Sequence, residues 1–72
     1  MSVRAQGAAA QLETLQTELM VALTRYGLNP DPGTARDIIE QIGAWHRHPL
    51  SELFPEQRRV LAQLRRVWEL KA

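Results

Sequence analysis

The sequence predicts an all-α protein, a small bundle of three helices over residues 8–26, 34–46 and 52–70, completed by self-association through the first of them. Three observations carry this expectation. Apolar residues recur at spacings of three and four in three separate stretches, the period at which one face of a helix repeats. Two proline-bearing segments, residues 28–33 and 46–49, separate those stretches. Neither the strict alternation of a half-buried strand nor a two-residue hairpin turn occurs anywhere.

The first stretch organises the rest. Ala5, Ala8, Leu12, Leu15, Leu19, Ala22 and Tyr26 follow one another at intervals of three, four, three, four, three and four. A seven-residue repeat held for three cycles is the pattern of a helix that lays a continuous seam against another helix. Leu12, Leu15, Leu19, Ala22 and Tyr26 are therefore the candidate partner-binding seam, with Leu23 on the same face. Val21 falls off that stripe and reads as an ordinary exposed apolar residue. Residues 1–7 read as a frayed lead-in because Gly7 interrupts the helical composition, and Gly27 sits where a left-handed cap would end the helix.

Residues 28–33 (Leu-Asn-Pro-Asp-Pro-Gly) can form neither a helix interior nor a central strand, since each proline fixes its own φ and disfavours the α region for its predecessor. A new helix starts after it, capped by Asp31 with Pro32 in the first turn or by Thr34. Ala35, Ile38, Ile39, Ile42 and Trp45 then form one stripe, which reads as core. Gly43 inside that helix implies a neighbour packed closely over it. Pro49 ends the helix by restricting His48. A third helix begins at Ser51 or Pro55, with Glu52 and Glu56 where negative charge suits a helix N-terminus. Its apolar face is Val60, Leu61, Leu64, Val67 and Trp68, and Arg58, Arg59, Arg65 and Arg66 are expected together on the opposite side.

Composition bounds the function. A chain of 72 residues makes one domain, residues 1–72, near the size at which a single core becomes marginal. Such a core needs a supplement, and the absence of cysteine removes disulfides, thiolate metal sites and cysteine nucleophiles together. Regular helices and self-association are what remain. A net charge of +1 is far from the balance of a domain that lives on phosphate contacts, although the positive charge gathers towards the C-terminal end. No apolar run approaches the ~20 residues that cross a bilayer, and the first ten residues lack the apolar core of a secretory signal. The expected location is cytoplasmic, with no membrane partner.

No catalytic, cofactor-binding or metal-binding residues are expected. His46 and His48, two positions apart without an acidic or thiol ligand at suitable spacing, read as surface loop histidines. Asp37 and Glu40 share a helical face but lie opposite the isoleucines, where solvent leaves nothing to separate two carboxyl groups into acid and base. Trp45 and Trp68 each end an apolar stripe and read as fillers at the ends of a small core. The arginine face (Arg58, Arg59, Arg65, Arg66) is read first as a solvated surface, then as a site for an acidic protein partner, and last as a phosphate-tracking surface.

Residues 53–61, Leu-Phe-Pro-Glu-Gln-Arg-Arg-Val-Leu, resemble the opening of the C-terminal DNA-reading region of sigma factors, where a leucine-proline-glutamate-glutamine-arginine run begins a helix. The resemblance covers nine residues and implies a helix start at Pro55; no function is carried over from it. The functional expectation is a helical protein–protein interaction module, a homodimer acting as a regulator, inhibitor or adaptor, such as a phage- or plasmid-borne protein would be. The alternative is a nucleic-acid-associated protein using the arginine face.

Overall fold

A computed structural model describes residues 3–72, with side chains described from Gln6 onward. Helix α1 spans Val3–Leu28, α2 Pro32–Arg47 and α3 Pro55–Glu69, with a short 3-10 turn at Pro49–Leu53. No strand occurs among the described residues. The expected three-helix, all-α bundle is the observed fold.

Several boundaries differ from expectation. Backbone from Val3 is already helical, so of the expected frayed lead-in only Met1 and Ser2 lie outside the described residues. Gly27 does not end α1 as a left-handed cap: the helix runs through it to Leu28, and among the described residues no glycine has positive φ. The stop comes from Pro30, which disfavours the α conformation for Asn29. Asn29 still donates its N–H to the Arg25 carbonyl at 3.0 Å, closing the last turn. On the polar side, the hydroxyls of Thr14, Thr17 and Thr24 donate back to the carbonyls of Ala10, Glu13 and Met20 at 2.9–3.0 Å.

Of the two caps open to α2, Asp31 is the one used. Its Oδ2 accepts from the Thr34 N–H at 3.1 Å, and Pro32 occupies the first turn, where a missing N–H costs nothing. Gly33 leaves room for this arrangement, because a Cβ there would lie 2.9 Å from the capping oxygen. The third helix begins later than expected, at Pro55. Ser51 heads no helix: it is fully buried, its Oγ donating to the His46 carbonyl at 3.2 Å.

Helix α2 is the centre of the molecule. Ala35, Ile38, Ile42 and Trp45 are completely buried, while α1 contributes Leu12, Leu19 and Ala22 at 4–7% exposure. Both α1 and α3 pack along α2, whereas the backbones of α1 and α3 stay apart from one another. They meet only through side chains. Gln16 Nε2 donates to Gln57 Oε1 at 3.2 Å, and eleven or so positions further along the rings of Tyr26 and Trp68 touch, so α1 and α3 run parallel.

This open arrangement leaves α3 half used. Leu61 and Trp68 pack on the core, but Val60, Leu64 and Val67, expected inside with them, are 39–46% exposed. Three helices in which the outer two stand apart, joined only through side chains, can cover only one side of each apolar stripe. The chain accordingly exposes 5174 Å², against about 4,500 Å² for a folded monomer of its mass, 8.2 kDa. Its radius of gyration is 13.0 Å, where about 11 Å is usual for this length.

Candidate interaction face

The expected seam of α1 faces inward. Leu12, Leu19 and Ala22 are buried under the chain's own helices, Leu15 is half-buried, and Tyr26 packs against the core cluster of Leu19, Ala22, Ile38 and Ile42. The ridge that needs covering is thus covered within one chain, and these five residues do not form a free surface. The side chain of Ala5, at the start of the repeat, lies outside the described residues.

What α1 leaves open is the adjoining stripe. Met20 is 59% exposed and Leu23 37% exposed, on the flank that turns towards α3. From the other side come Val60, Leu64 and Val67. Between the two helices lies a groove of about 410 Å³ with Leu19, Trp45 and Leu61 at its floor and Met20 and Val60 on its walls. Gln16 and Gln57 bridge it at one end, and a second depression lined by Leu12, Leu53 and Phe54 continues beyond the bridge. The result is an apolar face between two parallel helices, in the position a fourth helix of a bundle would take.

The arginines divide into two pairs. At 100° per residue, positions 58 and 65 lie on one line along α3, and 59 and 66 on another a step further round. Arg58 is directed at the end of α2, where its Nη1 donates to the His46 carbonyl at 3.1 Å and to the Ser51 hydroxyl. Arg65 leans over α2, and together with Arg47 it lies across Gly43, the close neighbours that glycine implied. Arg59 pairs with Glu56, and Arg65 with Glu69 at 3.5 Å. The expectation of four arginines on one face is therefore corrected: Arg58 is part of the α2–α3 joint, and Arg59 and Arg66 point outward.

The histidines also belong to that joint rather than to a surface loop. His46 is half-buried in the last turn of α2, with Nδ1 3.0 Å from the Ile42 carbonyl and Nε2 3.0 Å from the Arg58 carbonyl. Since both partners are acceptors, the ring donates to whichever one faces its protonated nitrogen. His48 Nδ1 accepts from the Leu50 N–H at 3.1 Å, capping the 3-10 turn. Sequence reasoning missed both roles, and no spacing rule signals them. Trp45 fills the core as expected, although its indole N–H finds no acceptor among the described residues.

Among the described residues no three histidine, cysteine, aspartate or glutamate side chains converge at metal-binding distance. Nor is any described helix long and apolar enough to cross a membrane. Comparison with known proteins finds no matching family, no matching curated protein and no matching solved structure.

Proposed function

We propose that this protein is a helical protein–protein interaction module that works through the apolar α1–α3 face as a regulator, inhibitor or adaptor. The observation that carries the reading is the groove that Met20 of α1 shares with Val60 of α3, together with the exposed Leu23, three positions after Met20, and the exposed Leu64 and Val67, which continue the Val60 stripe at spacings of four and three. Scattered exposed apolar residues are ordinary, but stripes that continue along two parallel helices from a shared groove suit recognition by a helical partner. Large side chains at spacings of three and four on both walls suit an amphipathic helix as occupant.

The nucleic-acid alternative loses support from the positions of the arginines. Arg58 is engaged in the joint and Arg59 and Arg65 carry ion pairs, leaving Arg47, Arg66 and Lys71 as the exposed cations of this end without a salt bridge among the described residues. Three cations spread over two helices and a turn supply little of the counterion release that drives phosphate binding.

The test is a photo-reactive amino acid placed at Leu64 in cells of the native host, with Gln63, exposed on the outer side of α3, as control position. Protein adducts at position 64, few at 63, and no change after nuclease treatment are expected. Absence of adducts at 64, or their loss with nuclease, contradicts the reading.

A further inference from the structure

We infer that the occupant of the α1–α3 face is a second copy of this chain, packed antiparallel about a two-fold axis at the level of Leu64. The inference rests on the reading of that face as an interaction surface and names what covers it.

A two-fold interface must be complementary to itself. The exposed stripe of α3 has that property: Leu64 is flanked by Val60 four positions before it and Val67 three positions after it, so the apolar pattern reads nearly the same in either direction. Reversed about Leu64, Val60 of one copy meets Val67 of the other. The polar ends match as well. Glu56, which lines the groove and holds Arg59 within its own chain, lies eight positions before Leu64, and Lys71, in the turn after α3, seven after it, so antiparallel packing brings the carboxylate end of one stripe to the ammonium end of the other. A parallel arrangement would juxtapose like charges.

The same axis serves α1. The Gln16–Gln57 and Tyr26–Trp68 contacts fix the register of the two helices, which places Leu23 level with Leu64. Leu23 and Met20 of one copy then meet their equivalents while the α3 stripes pair.

The chain has no cysteine, so single introduced thiols report pairing without interference. Leu64→Cys is expected to oxidise to a disulfide-linked pair, Gln63→Cys to remain single, and Val60→Cys mixed with Val67→Cys to link to each other faster than either links to itself. In sedimentation equilibrium the native chain is expected at twice its 8.2 kDa mass, with Leu64→Asp raising the dissociation constant on the order of a hundredfold, because a carboxylate would be buried against its own copy. Leu64→Asp is also expected to keep the helical circular dichroism of a folded chain. A native chain that stays monomeric at all concentrations, or one that dimerises while Leu64→Cys links no faster than Gln63→Cys, overturns the inference. If the chain is monomeric yet a photo-reactive group at Leu64 captures another protein, self-pairing fails and the interaction face stands; if it captures nothing, both fail.

Discussion

The rings of Tyr26 and Trp68 meet edge to face, with centroids 4.8 Å apart and planes at 89°. This contact joins the far ends of α1 and α3, two helices whose backbones do not approach one another. A double-mutant cycle of Tyr26→Leu and Trp68→Leu, read from denaturant unfolding, is expected to give a coupling of about 0.5–1.5 kcal/mol. Additive losses would mean that the two rings lie side by side without supporting one another.

Gly27 lies inside α1 with open space where a Cβ would stand. Gly27→Ala is therefore expected to raise stability by about 0.5–1 kcal/mol, since alanine gains helix propensity at no steric cost. The sign is what matters. A left-handed cap at this position would make the same substitution destabilising.

Arg58 and Arg66 differ in environment although both sit on α3. Replacing Arg58 by alanine removes a charged donor from the His46 carbonyl and from the buried Ser51 hydroxyl, and should cost about 1–3 kcal/mol in chemical unfolding. Arg66→Ala is expected to change stability by less than about 0.5 kcal/mol. Equal losses would remove the distinction between the two arginine lines.

Asp31 starts α2, the helix on which both others rest. Asp31→Ala leaves the Thr34 N–H without its acceptor and should lower the unfolding free energy by about 1 kcal/mol. Asp31→Asn, which keeps a side-chain oxygen, should recover most of that loss.

The helices, the α2 core and the proline-bearing connectors could be read from the chain because each depends on local pattern: a three-four repeat, a proline beside its restricted neighbour, a polar residue before an apolar run. Ile38, Ile42 and Trp45 lie where their spacing puts them. The working surface could not be read in this way. An apolar stripe states that it wants covering, not which element covers it, so Leu12, Leu19 and Ala22 gave the same signal whether α2 or another chain lay over them. The reverse error fell on Val60, Leu64 and Val67, which share a helical face with Leu61 and Trp68 yet stay exposed because α1 and α3 stand too far apart for their backbones to meet. The spacing between two helices is a property of packing across the whole chain. The His46–Ser51–Arg58 joint was hidden for a related reason, since its three members come from successive elements whose meeting depends on the angle of the turn at Pro49–Leu53.

Thiol labelling of single-cysteine variants in dilute solution tests the central claim most directly. It compares Leu19→Cys on the buried ridge of α1 with Met20→Cys one position away on the groove wall. The account predicts that Met20→Cys reacts with a maleimide at nearly the rate of a free thiol and becomes protected as the protein is concentrated. Leu19→Cys should react only through unfolding, at least about a thousandfold more slowly. Comparable rates at the two positions would contradict it, because the ridge would then be open and the division between core and working face would not exist.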